Sequence, residues 1–351
     1  MVRPSTPDSR LPTPEIGRIL IVRLGSLGDI VHAVPVAAAL RQAFPHARID
    51  WLVDVRHREL LDLVSPIDRR LAIDTSAVTS LIDAVVELRR GRYDVTLDLQ
   101  GLLKSAVLAR ASGARRVIGF PAALLRERGA RVFYTETSGI PAPHVIQKNL
   151  SMLSALGIER PAIAFPIEVQ RSEIVSAVRE RLRLGEREAF AVVNPGAAWP
   201  NKRWPPASFG EVAAALRDRH GLRSVVLWGP GEEEIGKQVV ASSRGAAVLS
   251  PPTSIAELVV LVRSAAVMVS GDTGPLHVAA AAGTPLVGIY GPTSPDRNGP
   301  WSGADLTISR FADCQCHHLR RCRASRWCLL EVPAADVIQL VDRRLAGCAH
   351  G

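Results

Sequence analysis

The sequence predicts an α/β protein of two domains, each built on a parallel sheet, facing one another across a cleft. Three observations carry that expectation. The chain has 351 residues, enough for two domains of ordinary size. Short apolar runs rich in β-branched residues alternate with helical patterns throughout, as crossover helices between parallel strands require. After residue 165 the alternation begins afresh, and most of its strands end in Gly, Pro or Asp, so they deliver loops to one edge of a sheet.

Taken in order, residues 1–17 (MVRPSTPDSRLPTPEIG) are polar and Pro-rich without the apolar stretch of a signal peptide, and read as a disordered leader. In the first domain, 18–165, the strands are RILIVRL, RIDWLV, YDVTLDLQ and RRVIGF, with helices around 31–43, 78–90, 103–112 and 144–156. The Pro-containing GIERPAIAFPIEVQ reads as a linker into a helix at about 171–185. The second domain, 166–330, carries the strands AFAVVNPG, SVVLWGP, AAVLS, AAVMVSGD and PLVGIYGP. In the last segment, 331–351, a helix at about 334–346 has an apolar face that either domain would accept.

Composition is that of a folded protein, with 47% hydrophobic and 22% charged residues. No run approaches the ~20 apolar residues of a membrane span, so a cytoplasmic enzyme is expected. The net charge of +9 calls for an acidic partner. That charge is uneven: Arg110, Arg115, Arg116, Arg126, Arg128 and Arg131 stand against the single acid Glu127, either as an anion-binding surface or as a solvated face. Nucleic acid is disfavoured as the partner, because aromatics are only 5% and no nucleic-acid-binding signature appears. Four of the five cysteines, Cys314, Cys316, Cys322 and Cys328, cluster around His317 and His318. The spacing C-x-C-x5-C-x5-C lacks the paired C-x2-C of zinc ribbons; reduced thiols or a local disulfide fit it better than a metal, and no metal ligand is assigned.

The first strand leads into the turn Gly25 to Asp29. G-x-x-G without a following Gly-Lys-Ser/Thr is not a phosphate loop, and a carboxylate at a helix N-terminus repels phosphate. Asp29 is therefore either a helix cap or a catalytic group. In SGDTGPLH, by contrast, Pro275 stands at the opening of a helix, and the N–H groups of Thr273 and Gly274 are placed to cradle a phosphate. Asp272 is read as free to accept sugar hydroxyls, with His277 one helical turn on. The loop NPGAAWPNKRWPPASF offers Lys202 as a point charge for a pyrophosphate, and LWGPGEEEIG offers Glu232 or Glu233 for ribose hydroxyls.

The ordered set LIVRLGSLGDIVHAVPV, LDLQGLLKSA, NKRWPPASF, LWGPGEEE and SGDTGPLHVAAAAGTPLVGIYGPT resembles glycosyltransferase family 9, the ADP-heptose:lipopolysaccharide heptosyltransferases, over most of residues 18–340. DLQGLLKSA is most similar to the enzymes that add the first heptose to Kdo. The resemblance implies a GT-B fold of two Rossmann-like domains, acceptor side first and nucleotide-sugar donor side second. It implies Asp29 as catalytic base and Lys202 at the donor phosphate. It further implies Asp272 at the donor sugar, Thr273 and Gly274 as the phosphate turn with His277 beside them, and Glu232 or Glu233 at the ribose.

Ser26, Gly28, Lys104, Arg115, Arg116, Arg126 and Arg128 fall on the acceptor side, where the cations would hold Kdo and lipid A phosphates. This chain departs from the family in having Ala197 and Ala198 where threonines precede the lysine, and Arg23 where lysine is frequent. No cofactor beyond the ADP-heptose substrate is implied, and no metal. The implied partners are an ADP-sugar donor, a Kdo-lipid A acceptor and a peripheral contact with the inner membrane. The implied chemistry is an inverting displacement in which Asp29, an ordinary weak base, is helped by partial burial. A sister family 9 transferase with another donor or acceptor, and a non-catalytic nucleotide-binding protein, are the alternative readings.

Overall fold

The computed structural model describes residues 16–317, 319–322, 324–325 and 327–348. In chain order, the first domain runs β1 (Arg18–Val22), α1 (Leu27–Val31), α2 (Val34–Ala43), β2 (Arg48–Asp54), α3 (Arg58–Asp62) and β3 (Arg69–Ile73). It continues with α4 (Val78–Gly91), β4 (Val95–Asp98), α5 (Leu103–Ala111), β5 (Arg116–Gly119), β6 (Glu136–Thr137) and α6 (Val145–Ser151). The second domain runs α7 (Ile174–Leu182), β7 (Phe190–Asn194), α8 (Pro206–His220), β8 (Arg223–Val226), α9 (Glu233–Ser242), β9 (Ala247–Leu249) and α10 (Ile255–Arg263). It ends with β10 (Val267–Gly271), α11 (Gly274–Ala281), β11 (Leu286–Tyr290), α12 (Pro295–Asn298), β12 (Leu306–Ser309) and α13 (Ala334–Ala346).

Both sheets are parallel and have the same topology: β3-β2-β1-β4-β5-β6 in the first, β12-β11-β10-β7-β8-β9 in the second. Read from its own first strand, each is the doubly wound order 3-2-1-4-5-6. In such sheets the chain leaves in opposite directions at the switch point, opening a crevice at the carboxyl ends of strands 1 and 4. Here those strands are β1 with β4 and β7 with β10, whose ends carry Arg23 to Asp29, Leu99 and Gln100, Asn194 and Asp272. The central strands are buried on both faces, as their unbroken apolar runs require.

The structure departs from the sequence expectations in definite places. The helix expected at 31–43 is α2, which begins only at Val34; the separate short α1 precedes it and ends at Val31, because Pro35 has no N–H to continue α1 and a turn at His32–Ala33 intervenes. The helix expected at 144–156 is α6 followed by a 3-10 turn, Met152–Leu156, closed by Gly157 in the left-handed region at φ 74°. The strands β3, β6 and β12 were not expected. β6 has two residues, and β12 alternates half-buried and exposed positions at a sheet edge.

The leader expected over 1–17 falls outside the described residues up to 15. Ile16 already packs on the core, and the Gly17 N–H donates to Asp94 Oδ2 at 2.9 Å. The linker pairs with the first domain as far as Glu168, whose N–H reaches Leu63 O at 2.8 Å. α13 packs on the second domain, burying Val337 and Val341 beside α8 and β11, while Trp204 Nε1 ties the preceding segment through Val332 O at 3.0 Å.

Candidate active site between the two domains

The two sheet edges meet. Helix α1, carrying Asp29, packs directly on α11, which opens with Gly274. The contact depends on two glycines. A Cβ on Gly28 would stand 2.2 Å from His277 Cδ2, and one on Gly274 would stand 2.7 Å from Leu27 Cδ2. The domains therefore approach so closely that neither glycine has room for a side chain.

On the first domain, Ser26 is the N-cap of α1 and Asp29 its N3 residue, so Asp29 is not the cap itself. Asp29 Oδ2 accepts from the Ser26 backbone N–H and from its Oγ, both at 3.1 Å, and Oδ1 pairs with the Arg23 guanidinium at 2.7 Å. Arg23 is itself fixed by a bond to Leu99 O at 2.5 Å, across the β1–β4 switch point. Burial pushes the Asp29 pKa up, but Arg23 and the two Ser26 donors, with Arg297 from the facing domain, outweigh it and hold the carboxyl below its ordinary value. The expectation that burial would strengthen this base is thus corrected. The side chain remains 35% exposed, and a carboxylate has about four lone-pair positions, so it can accept a further proton donor.

On the second domain, Asp272 is the hub. Its Oδ2 takes Lys202 Nζ at 2.6 Å and Thr293 Oγ1 at 2.5 Å; its Oδ1 takes Asn298 Nδ2 at 2.9 Å and His277 Nε2 at 3.2 Å. The side chain is 2% exposed, and although burial opposes ionisation, His277 and Lys202 hold its pKa well below the usual carboxylate range. The expectation of an Asp272 free for sugar hydroxyls is corrected: both oxygens are occupied, and the residue organises Lys202 and His277.

Lys202 lies over the Trp199 ring, 4.7 Å from its centroid. Asn194 Nδ2, at the end of β7, bonds Ser270 Oγ and Thr273 Oγ1, each at 2.9 Å, and so sets the turn at which α11 begins. Thr273 and Gly274 are partly exposed there. Glu232 lies in the same crevice, with Oε2 accepting the Gly229 N–H at 3.2 Å and space for no Cβ on Gly196 beside it. Glu233 points away into an exposed pair with Lys237 at 3.0 Å. Ala197 is buried, and its carbonyl accepts from Arg203 Nε at 2.8 Å; Ala198 is exposed.

The acceptor-side cations diverge. Arg116 forms a pair with Glu136 at 2.9 Å and donates to Ala155 O, so it is held at β6, correcting its assignment as an anion ligand. Lys104 Nζ donates to Thr75 O at 2.8 Å, and Arg115, Arg126 and Arg128 are exposed.

His32, His144, Lys148, Thr293, Arg297 and Asn298 at the junction escaped the sequence reading, whereas His277 was expected on the donor side. His32, His144 and His277 form a ring cluster, with centroids 4.4 Å apart for His32 and His277 and 5.6 Å for His32 and His144. Burial, then the neighbouring imidazoles, pushes His32 well below its ordinary value, and burial lowers His144. His144 Nδ1 accepts from the Ile146 N–H, which leaves Nε2 protonated to donate to Gly299 O of the other domain at 3.0 Å. Lys148 lies over Phe120, bonds Leu124 O, and is lowered to about 8 by burial, with Arg297 and Arg23 adding to it. Thr293, Arg297 and Asn298 all lie in GPTSPDRNGP, directly after β11; a strand end beside the switch point was the signal available for them.

All five cysteines are free thiols. Cys314 Sγ and Cys316 Sγ stand 3.4 Å apart, and Asn201 Nδ2 is 3.6 Å from Cys316 Sγ. His318 lies outside the described residues. Among the described residues, no group of three or more His, Cys, Asp or Glu side chains is arranged to hold a metal ion.

Two doubly wound domains facing one another, with a carboxylate on one sheet edge and a lysine and a helix N-terminus on the other, form a GT-B architecture. The chain belongs to glycosyltransferase family 9 (heptosyltransferase), which residues 83–327 match, and it is an enzyme of that class. It is 27% identical over 310 residues to lipopolysaccharide heptosyltransferase 1 of Pseudomonas aeruginosa, covering 85% of each chain. It is 25% identical over 339 residues to lipopolysaccharide heptosyltransferase 3 of Escherichia coli, covering 92% of this chain and 98% of that one. Its fold is similar to that of E. coli heptosyltransferase WaaC with ADP, at a TM-score of 0.72 and 23% identity over 95% of this chain and 99% of that one.

Proposed function

We propose that this enzyme transfers heptose from ADP-heptose to a Kdo-containing inner-core acceptor of lipopolysaccharide, with inversion and without a metal cofactor. The observation that carries the reading is the juxtaposition of the Asp29 helix with the α11 turn and the Lys202–Asp272 pair, a base facing a phosphate cradle across the domain junction. The relatives named for lipopolysaccharide heptosyl transfer support the donor and acceptor classes.

The donor diphosphate lies against the N–H groups of Thr273 and Gly274 and draws Lys202 into a second ion pair, while Asp272 keeps the lysine aimed. Glu232 accepts the ribose hydroxyls; Glu233, committed to Lys237, does not take part. The acceptor hydroxyl oxygen attacks the anomeric carbon as the bond from that carbon to the diphosphate oxygen breaks. ADP leaves with the bonding pair, and the hydroxyl proton passes to Asp29. Because the Asp29 pKa is held low, proton transfer accompanies attack and does not precede it. Charge growing on the leaving diphosphate is stabilised by Lys202 and the α11 N-terminus, which are in place before reaction.

The test is ADP release from ADP-L-glycero-D-manno-heptose, with and without Kdo2-lipid A, in EDTA, for the wild type and Asp29→Asn. Acceptor-dependent release that survives EDTA and is lost in the variant supports the reading. Release unaffected by the variant overturns Asp29 as base, and no release by the wild type overturns the substrate assignment.

A further inference from the structure

β4 and β10 hold the same place in the two sheets, beside β1 and β7 at the switch points, and a buried aspartate stands at the carboxyl end of each. In the second domain it is Asp272, directly after β10, which aims Lys202. In the first it is Asp98, the last residue of β4, 0% exposed and so far without a task.

The Asp98 carboxylate gathers donors from three segments. Oδ1 takes the backbone N–H groups of Gln100 at 2.9 Å and Gly101 at 3.2 Å. Oδ2 takes the hydroxyls of Ser105 on α5 at 2.9 Å and of Tyr134 at 2.8 Å. None of the four is a cation. Burial pushes the Asp98 pKa up and these four bonds work against it, so the group depends on them to stay charged in the interior.

What the carboxylate shapes is the turn after β4. Gly101 stands in the left-handed region at φ 71°, where a Cβ would meet Leu125 Cδ2 at 2.9 Å, and Asp98 holds its N–H. That turn touches the catalytic segment twice. Leu99 O takes Arg23 Nη1 at 2.5 Å, and Gln100 Oε1 takes the Leu24 N–H at 3.0 Å. Arg23 Nη2 then reaches Asp29 Oδ1 at 2.7 Å, while its buried Nε has no partner among the described residues. Leu99 O and Asp29 are therefore what hold the guanidinium.

Tyr134 brings in the acceptor side. It directly follows the 3-10 turn Arg128–Phe133, and its ring lies so close on Gly119 of β5 that a Cβ there would stand 2.2 Å from Cε2. Its hydroxyl thus ties that turn to the carboxylate that also fixes Leu99 and Gln100.

We propose that Asp98 is a positioning residue for Asp29: its carboxylate fixes the turn after β4, the turn fixes Arg23, and Arg23 fixes Asp29. This rests on Asp29 as the base only for its effect on turnover; the positioning itself needs no substrate.

Carboxyl 13C NMR of the full chain, labelled at aspartate Cγ, tests it by following the titration of Asp29, assigned by its absence from Asp29→Asn. Asp98→Ala is expected to raise the Asp29 pKa, because Arg23 is no longer held against it. The sign separates positioning from charge alone, since removing the Asp98 charge through space would lower the pKa of a neighbouring carboxyl. Arg23→Gln should raise it as well, and Arg23→Gln/Asp98→Ala no further than Arg23→Gln. Tyr134→Phe keeps the ring and the net charge, withdraws one hydroxyl, and should move Asp29 the same way by less. Acceptor-dependent turnover should fall about tenfold or more in Asp98→Ala, as for other small misplacements of a catalytic group. ADP binding, made on the other domain, should stay at the wild-type level by calorimetry.

An Asp29 titration in Asp98→Ala at or below that of the wild type overturns the proposal. So does a double variant displaced beyond Arg23→Gln. If Asp98→Ala does not fold, Tyr134→Phe decides by the same titration, and an unmoved Asp29 overturns the proposal. If Asp29 moves as expected while turnover holds, the positioning stands and Asp29 is not the base. If the wild type transfers no heptose, the titration still decides the positioning, and the substrate reading alone fails.

Discussion

Arg23 and Asp29 form the pair on which the chemistry turns: the guanidinium stands 2.7 Å from Oδ1 and holds the carboxyl below its ordinary pKa, against the opposing effect of burial. A base must be deprotonated to act, so lowering its pKa extends activity toward acid and costs intrinsic basicity. The rate therefore carries no acid limb from Asp29 in the free enzyme above the ordinary carboxylate value of 3.8. Arg23→Gln removes the largest of the effects that oppose burial and leaves the Ser26 donors and Arg297 in place, so a limb attributable to Asp29 should move upward in pH. Rate–pH profiles of kcat/KM for wild type and Arg23→Gln check this, and a variant profile superimposable on wild type would remove Arg23 from the account. Asp29→Asn is expected to lose roughly 10²–10⁴ in kcat, the range of general base catalysis.

The Lys202–Asp272 pair binds structure to donor recognition. Lys202→Met leaves a carboxylate of 2% exposure without its cation, and breaking a buried pair in this way costs about 3–5 kcal/mol. Urea unfolding should show that loss, and calorimetry a loss of ADP binding. The pH dependence has a definite sign. The folded pKa of Asp272 lies below its unfolded value of 3.8, so its contribution to stability is complete above that value and is lost as the pH falls beneath it. Wild type and Asp272→Asn should therefore differ most in stability at neutral pH and converge in strong acid.

Gly28→Ala tests the closure of the domains. The new methyl would meet His277 Cδ2 at 2.2 Å, and His277 cannot swing aside while Asp272 and the His32 ring hold it. The interface must open. Turnover is expected to fall at least about tenfold, in line with the sensitivity of catalysis to a misplacement of about 1 Å, while small-angle scattering shows a larger radius of gyration. A compact variant with full activity would show that the glycine contact does not set the catalytic geometry.

What the sequence disclosed follows from where each signal resides. Central strands such as Arg18–Val22 and Val267–Gly271 are unbroken apolar runs ended by glycine-rich turns, so periodicity finds them. β6, two residues long, has no periodicity to find. Asp29, Lys202 and Asp272 were legible as candidates because they lie in the turns, loops and first helical turn that follow strand ends, yet their partners were not. That Asp272 is closed off by Thr293 and Asn298, 21 and 26 residues away, is a property of the fold that no local pattern carries. The same holds for Arg116, legible as one of a run of cations and held in the structure by Glu136. The histidine cluster assembles His32 just after α1, His144 just before α6 and His277 within α11, which only domain packing brings together.

Glu232 and Glu233 differ by one position in the sequence and by their whole surroundings in the structure. Glu232 precedes α9, and its carboxylate turns back into the crevice, where Oε2 takes the Gly229 N–H and the chain at Gly196 passes too close for a Cβ. Arg203 stands 3.7 Å from its other oxygen, which keeps the carboxylate oriented without closing it off, since a pair that long leaves room for hydroxyl donors. Glu233 lies in the first turn of α9, where it favours the helix dipole and pairs with Lys237 one turn on. Glu232→Gln keeps the shape but removes the charge that strengthens bonds from ribose hydroxyls, a difference of about 1 kcal/mol or more, or roughly fivefold to tenfold in affinity. Glu233→Gln alters only an exposed pair and should leave ADP binding unchanged. Titration calorimetry with ADP on the two variants reads the difference directly, and equal losses would mean that the ribose is held elsewhere.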